Sequence, residues 1–204
     1  MGLTVKNSTS AAGLAGDLRR ATEDALRAYG PEVYGLLLSL HRDEDGADEA
    51  FSLFAERLFV TMGKFAFRCS MRTWVYMLAR RASRDVRRSG GTRGARVPLS
   101  EASGLPALVA HVRTDTISLF RKATVDAFAR LRDELPEDDR TLLVLRVDRE
   151  MEWDEVALVF LGDEVAPAAN DVRREAARLR KRFQLVKGRL KALAEERGLV
   201  PRDE

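Results

Sequence analysis

Residues 65–88 read FAFRCSMRTWVYMLARRASRDVRR, and this stretch decides how the rest of the chain is interpreted. Ser70 can accept a hydrogen bond from the free N–H groups of the next turn, which predicts that a helix begins there. Apolar residues then recur at intervals of three and four, which predicts one buried stripe. That stripe consists of Met71, Trp74, Val75, Leu78, Ala82 and Val86. A second face, predicted to be exposed, carries Thr73, Tyr76, Arg80, Arg84 and Arg87.

Basic residues are concentrated in two parts of the chain. Residues 68–96 contain nine arginines and a single acid, and residues 171–191 contain nine lysines and arginines against two acids. The net charge is only +3, so the totals alone do not indicate nucleic acid. Two separate basic patches on an otherwise balanced protein favour two contacts with one long polyanion. Charge alone leaves a plain solvated basic face as the alternative.

The composition is that of a globular protein, with 45% apolar and 33% charged residues. No run of about 18 apolar residues is present, so no membrane insertion is expected. The N-terminal segment lacks the apolar core of a secretory signal. A single cysteine, Cys69, excludes an internal disulfide and fits a reducing cytoplasm, which is the expected location. The neighbouring Arg68 could lower the pKa of this thiol.

Hydrophobic periodicity indicates helices throughout the first half. Residues 1–16 are small and polar and predict a flexible tail. Helices are predicted over 17–40, with a break or kink at Gly30-Pro31, and over 47–61. Gly, Pro and Ser recur through residues 90–114, which predicts a flexible linker containing the domain boundary. We therefore expect an all-α fold of two small helical domains, 17–89 and 115–204, joined by the linker 90–114.

The second half is predicted to end in a long amphipathic helix. Shorter helices are predicted over 116–135, 139–147 and 153–161. Apolar residues then alternate by four and three from Val172 to Leu193, which predicts a helix of about 23 residues. Two helices, a loop and a basic final helix is the order of a helix-turn-helix DNA-binding domain. A helical bundle with a basic solvent face is the alternative on pattern alone.

The sequence carries no recognisable catalytic or metal-binding pattern. The two histidines, His41 and His111, each stand alone, and no Cys/His spacing suits zinc. The acidic run over 43–49 lacks the terminal Glu of an EF-hand loop. We therefore expect no metal, no cofactor and no enzymatic activity. A nucleic-acid-modifying enzyme that uses this acidic run is the remaining enzymatic alternative.

The segment 70–88 resembles a stretch of the extracytoplasmic-function (ECF) sigma factors, the promoter-recognition subunits of bacterial RNA polymerase. The family's stretch reads roughly SFRTWLYRIARN…D…RR, and SMRTWVYMLARR at 70–81, followed by Asp85, Arg87 and Arg88, is similar to it. Upstream, ADEAFSLFAERLF at 47–59 resembles the family's AEDLVQEVFLRLW. The segment 135–183 resembles the family's second domain, so the resemblance covers about residues 20–190.

The resemblance implies a subunit that directs promoter-specific transcription initiation. The first domain would correspond to sigma region 2 and contact the melted minus-ten element through Phe65, Phe67, Arg72, Thr73, Tyr76, Arg80, Arg84, Arg87 and Arg88. The second would correspond to sigma region 4 and contact the minus-thirty-five element through Arg173, Arg174, Arg178, Arg180, Lys181 and Arg182. Trp74 would either stack on a base or belong to the core, and its position in the apolar stripe favours the core.

The implied partners are promoter DNA, core RNA polymerase and an anti-sigma factor. The polymerase would be bound through its β flap and its β′ clamp helices, the latter by Asp48, Glu49, Ser52, Leu53 and Glu56. The sequence departs from the family pattern in two places. Ser52-Leu53 replaces the family's Gln-Glu pair in the helix predicted to bind the clamp helices. In the predicted helix-turn-helix, the loop between the two helices is longer than in the family, and the final helix carries Asp171 and Glu175. The first departure favours the alternative of a helix-turn-helix regulator of sigma-like descent that binds DNA without polymerase.

Overall fold

A computed structural model describes residues 11–41, 43–89, 104–123, 127–162 and 167–201. Over these ranges the chain contains 8 α-helices and no strand, which confirms the all-α prediction. The helices are α1 Ala11–His41, α2 Glu44–Thr61, α3 Met71–Arg88, α4 Leu105–Ala123, α5 Ala127–Asp133, α6 Glu137–Leu143, α7 Trp153–Leu161 and α8 Ala169–Glu196. None of these described helices is both long and apolar enough to cross a membrane.

The first three helices pack together around aromatic and aliphatic side chains. Tyr34 of α1 and Phe51 and Phe54 of α2 are fully buried. The centroid of the Phe51 ring lies 5.0 Å from that of Tyr34 and 5.7 Å from that of Phe54. The start of α3 is fixed as predicted, because Ser70 Oγ accepts a hydrogen bond from the Thr73 N–H at 3.1 Å. This cap and the packing of α2 set the position of the arginine-rich helix.

Helix α1 does not end at Gly30-Pro31. Pro31 lies inside the helix, although an interior proline removes one backbone hydrogen bond and costs about 3 kcal/mol. Leu26 and Val33, on either side of it, are both fully buried. Burial of both halves of α1 in one core offsets the local cost of the proline. Residues 11–16, predicted as tail, are the first turns of this helix, and residues 1–10 lie outside the described ranges.

The linker prediction is wrong from residue 105 onward, because α4 begins at Leu105. Leu105, Val109 and Val112 are buried against α1, so α4 belongs with the first half of the chain. Composition does not reveal this helix, because a proline such as Pro106 is typical of a linker. In a first turn, however, proline loses no intrahelical hydrogen bond. The remainder of the predicted linker, residues 90–103, lies outside the described ranges.

The C-terminal half follows the predicted order with altered boundaries. The end of α4 and helix α5 take the place of the predicted helix 116–135, of which residues 124–126 lie outside the described ranges. Helix α6 passes into a π-helical segment, Val144–Asp148. Helix α7 has the predicted bounds and ends at Gly162, whose φ of 62° provides a left-handed C-cap. Trp153 of α7 meets Phe183 of α8 edge-on at 5.6 Å.

One hydrophobic core includes residues from both halves of the chain, where the first half consists of α1–α4 and the second half of α5–α8. It includes Leu40 and Val86 from the first half together with Val156, Phe160 and Leu179 from the second. Helix α3 packs directly on α7, and α1 packs on α6. The described helices therefore form one connected body instead of the two separate domains that the linker prediction implied.

His41 provides a pH-dependent test of this packing. Its Nε2 lies 3.0 Å from Ser83 Oγ on α3. Burial, helped by the Arg87 guanidinium and by Arg140 and opposed by Asp43, lowers the pKa of His41 from 6.5 to about 4. Between these pH values only the unfolded chain protonates this ring, so stability should rise with pH across that window.

We expect the variant His41→Gln to flatten the pH dependence of the urea midpoint between pH 6.5 and about 4. The variant lacks the group that titrates only in the unfolded chain, while its amide retains a polar partner for Ser83. The control is His111→Gln, because His111 is exposed on α4. Equal slopes in wild type and His41→Gln would contradict the burial of a neutral imidazole.

Candidate nucleic-acid interface

The arginines of α3 occupy two different environments. Arg81, Arg84 and Arg88 are exposed on the outer side of the helix. Arg80, by contrast, is 7% exposed and faces α6 and α7. The predicted basic face is therefore divided between solvent and the second half of the chain.

Arg80 is held by three contacts from the second half. Its Nη2 donates to Asp138 Oδ1 at 2.7 Å, and its Nη1 donates to the Phe160 carbonyl at 3.2 Å. The guanidinium carbon also lies 4.3 Å from the centre of the Phe160 ring, within cation–π range. Burial raises the pKa of Asp138, but the hydrogen bond and charge of Arg80, together with the charges of Arg182 and Arg84, leave it lowered. Both Nη atoms of Arg80 are thus engaged within the protein, although its side chain also lines a surface cavity together with Arg84 and Arg88.

The predicted exposure of two neighbouring side chains, Thr73 and Tyr76, is also wrong. Thr73 is buried and donates to Glu155 at 2.9 Å, and Tyr76 is buried and donates to Glu32 at 2.9 Å. Arg72 pairs with the same Glu32 at 3.3 Å. Arg87, by contrast, is exposed as predicted, although it pairs with Glu137. Apolar periodicity could not reveal this burial, because a polar face can be covered when distant segments supply carboxylates for it.

Three aromatic rings form a cluster at the N-terminal end of α3. The Phe65 ring lies 4.7 Å from Phe67 and 4.8 Å from Trp74, measured between centroids. Trp74 is half-buried and packs on the core, which is the role that its position in the apolar stripe favours. Phe67 is 83% exposed and has a φ of 54°, a left-handed conformation that costs of order 1 kcal/mol for a non-glycine residue. The loop before α3 therefore holds a large apolar ring in solvent in a strained backbone conformation.

A cavity of about 320 Å³ lies beside this aromatic cluster. It is lined by Arg57, Thr61, Lys64, Trp74, Met77, Leu78, Arg81 and Gly162. Arg57 Nη2 pairs with Asp85 at 2.6 Å, while its Nη1 is buried and without a hydrogen-bond partner. Three cationic side chains and an indole ring suit an unpaired base with its phosphate.

A second cavity of about 230 Å³ continues this basic surface and shares Arg81 and Gly162 with the first. Arg84 and Arg88 also line it. Sequence analysis missed Arg57, Lys64 and Arg81 as candidates. Arg81 lies among the arginines of α3 and could have been chosen. Arg57 is brought to the cavity by its ion pair with Asp85 of α3, and no pattern in the sequence around Arg57 indicates that pair.

Helix α8 exposes most of the predicted minus-thirty-five residues near its N-terminal end. The exposed ones are Arg173, Arg174, Arg178, Arg180 and Lys181. Arg178 is held by Glu175 through two hydrogen bonds of 2.7 and 2.6 Å. Arg182 differs from the exposed residues, because its Nε donates to Asp139 of α6 at 2.5 Å and its Nη1 lies 3.5 Å from Asp138.

The α2 surface predicted to bind polymerase is in contact with α4. Arg113 Nη2 donates to Ser52 Oγ at 2.8 Å, and Arg113 Nε lies 3.3 Å from Asp48 Oδ1. Tyr34 donates to the same carboxylate at 2.5 Å. Of the other predicted residues, Glu56 is buried, and Glu49 and Leu53 are half-buried.

Cys69 lies half-buried before α3. Burial and the nearby Glu155 carboxylate raise the pKa of its thiol, so the expected lowering by Arg68 is not found. Within the described ranges no three His, Cys, Asp or Glu side chains are grouped so that they could hold a metal ion.

Comparison with known proteins provides no independent assignment. No protein-family model, no curated protein and no solved structure matches the chain.

Arg80 and Arg84 form a matched pair of test positions on α3. Arg80→Ala should lower the free energy of unfolding by about 2 kcal/mol, because it leaves a partly buried carboxylate without its partner. Arg84→Ala should change it by less than about 0.5 kcal/mol, since Arg84 is exposed. Urea denaturation of the two variants measures the difference, and equal effects would contradict the division of the basic face.

Proposed function

We propose that this protein is an ECF-type sigma factor, a non-enzymatic cytoplasmic subunit that binds core RNA polymerase and directs promoter-specific initiation. The observation that carries the proposal is the aromatic cluster of Phe65, Phe67 and Trp74 at the start of the SMRTWVYMLARR helix, next to a cationic cavity. A melted minus-ten strand requires both features in one place. It presents unpaired bases for stacking and phosphates for cations.

The exposed side of α3 suits the backbone of a single strand. Arg81, Arg84 and Arg88 follow one another along the helix beside the two cavities, where they can neutralise successive phosphates. Phe67 can stack on an unpaired base, an interaction that contributes about 1–3 kcal/mol per base. Stacking tolerates any base, so the lining of the cavity would supply sequence preference.

Helix α8 suits the major groove of duplex DNA. Its exposed Arg173, Arg174 and Arg178 lie in its N-terminal part, which is the part of a recognition helix that contacts base edges. Arginine reads guanine through two parallel hydrogen bonds. In the structure, two N–H groups of Arg178 donate to the Glu175 carboxylate. Arg178 would therefore have to release Glu175 before it could bind a guanine in this way.

A regulator that binds DNA without polymerase is the second candidate. The contact of Arg113 with Ser52 and Asp48 favours it, because α4 occupies part of the α2 surface that the β′ clamp helices would use. In a sigma factor α4 must yield that surface to the polymerase or share it. An anti-sigma factor would be a further partner under the first proposal.

Run-off transcription with purified core RNA polymerase on a library of upstream sequences tests the proposal. We expect specific transcripts that depend on added protein, and stable co-elution of the protein with the polymerase. The variant Arg113→Ala should not weaken co-elution, because it removes a side chain that covers the α2 surface. DNA binding without co-elution or transcripts would instead establish the second candidate.

Phe67 gives a separate test of the aromatic cluster. Phe67→Ala should weaken binding of a labelled single-stranded oligonucleotide by about tenfold, the equivalent of 1.4 kcal/mol and within the range for one lost stacking contact. Stability should change by less than about 0.5 kcal/mol because the ring is exposed. The exposed apolar Val60 on α2 provides the control variant Val60→Ala. Equal binding by Phe67→Ala and wild type would exclude stacking at this position.

A further inference from the structure

We infer that the two cavities beside α3 form one binding site for a free nucleoside diphosphate, with the base in the first cavity and the phosphates in the second. The first cavity is the one of about 320 Å³, and the second is the one of about 230 Å³. They are adjacent, because Met77, Arg81 and Gly162 line both of them. The inference goes beyond the proposed function, since such a site requires neither promoter DNA nor polymerase.

The surroundings of the two cavities are those of a small-molecule site. Helix α2 contributes Arg57, α3 contributes its outer side, and the end of α7 contributes Val159 and Gly162. Small ligands usually occupy concave sites of roughly 300–1,000 Å³ between such elements. A ligand here is contacted from more than one side, whereas a strand that follows α3 would need only that helix.

The residues of α3 that line the cavities follow a regular order. Their positions recur at intervals of three and four, so they lie on one side of the helix. They are Trp74, Met77, Arg81, Arg84 and Arg88. This stripe is apolar toward the N-terminal end of α3 and cationic toward its C-terminal end. It therefore matches a ligand that is flat and apolar at one end and negatively charged at the other.

The first cavity offers an apolar wall for a nucleobase. Trp74, Met77 and Leu78 line it, and all three are half-buried. Each packs on the hydrophobic core and still leaves surface for a ligand. An aromatic face stacks on every kind of base. This end of the site therefore supplies affinity for a base without selecting one.

Arg57 brings an unsatisfied hydrogen-bond donor to the first cavity. Its Nη2 donates to Asp85 Oδ2 at 2.6 Å, whereas its Nη1 is buried and has no partner among the described residues. Buried polar groups nearly always have a partner, because leaving one unsatisfied is costly. An oxygen or ring nitrogen of a bound nucleotide would supply the missing acceptor.

The second cavity carries the charge that a diphosphate needs. Arg81, Arg84 and Arg88 line it, and all three are exposed. Asp85 is the only acid among the described residues that line either cavity, and it pairs with Arg57. Positive charge is therefore in excess at this end of the site. Guanidinium groups bind phosphate oxygens through paired hydrogen bonds, and a diphosphate offers several such oxygens.

The spacing along α3 suits one nucleotide. At 1.5 Å per residue, Arg81 lies about 10 Å and Arg84 about 15 Å along the helix from Trp74. Side chains on a helix point toward its N-terminus. The long arginine side chains extend further in this direction than the indole does, which shortens the distance that the ligand has to span. A base stacked on Trp74 can thus present its phosphates to Arg81 and Arg84.

Isothermal titration calorimetry of the full chain tests the site against its two separate ends. Adenosine 5′-diphosphate should bind at least about tenfold more tightly than adenosine or inorganic pyrophosphate, because one molecule then makes both the stacking and the charged contacts. Equal affinities for adenosine 5′-diphosphate and pyrophosphate would reduce the site to a patch of cations and overturn the inference.

The variant Arg84→Gln tests the phosphate end, and Arg20→Gln is its matched control. Both arginines are exposed on a helix, but Arg20 lies on α1 and lines neither cavity. Arg84→Gln should bind adenosine 5′-diphosphate about tenfold more weakly than wild type, with the affinity for adenosine unchanged. Arg20→Gln should bind both as wild type does. Equal weakening in the two variants would indicate only the loss of net charge and overturn the inference.

Tryptophan fluorescence locates the base. Adenosine 5′-diphosphate should quench the fluorescence of wild type and of Trp153→Phe, but not that of Trp74→Phe, because only the indole of Trp74 lines the first cavity. Quenching that persists in Trp74→Phe, or that is absent from wild type, would overturn the inference.

A labelled single-stranded oligonucleotide separates this inference from the proposed function. We expect both ligands to bind and each to displace the other, since they share Trp74, Arg81 and Arg84. Binding of the oligonucleotide without any binding of adenosine 5′-diphosphate would overturn the inference and leave the proposed function standing. Binding of adenosine 5′-diphosphate by a protein that binds neither the oligonucleotide nor polymerase would support the inference and overturn the proposed function.

Discussion

The ion pair between Arg80 and Asp138 is the constraint on which the arrangement of the two halves depends. It lies between α3 and α6, and the Phe160 carbonyl and ring complete the environment of the guanidinium. Around it the hydrophobic core continues from Val86 to Val156 and Leu179 without a boundary. Helices α3 and α8, which are proposed to contact DNA, both bind the same turn of α6, through Arg80 and Arg182.

The division of the basic residues follows from this constraint. Those that face the second half, Arg80 and Arg87, find carboxylates there. Those on the outer side of α3 lie along two cavities next to the aromatic cluster. Of the two arginines that face the second half, Arg80 is buried, whereas Arg87 stays exposed beside its ion pair.

Features set by neighbouring residues could be predicted from the sequence. The Ser70 cap, the bounds of α7 and the amphipathic α8 all depend on contacts within one or two turns. The onset of α4 and the burial of Arg80 could not be predicted in this way. The partner of Arg80 lies 58 residues away, and no periodicity within α3 carries information about it. The positive φ of Phe67 could not be predicted either, because a phenylalanine does not favour the left-handed region of backbone conformation.

The backbone carbonyl of Leu40, near the end of α1, has two arginine donors from different halves of the chain. Arg87 of α3 is one, and Arg140 of α6 is the other, at 3.0 Å. The end of α1 is therefore tied to both α3 and α6, and loss of either arginine alone leaves the carbonyl with one donor. Such redundancy means that neither arginine alone determines how α1 ends.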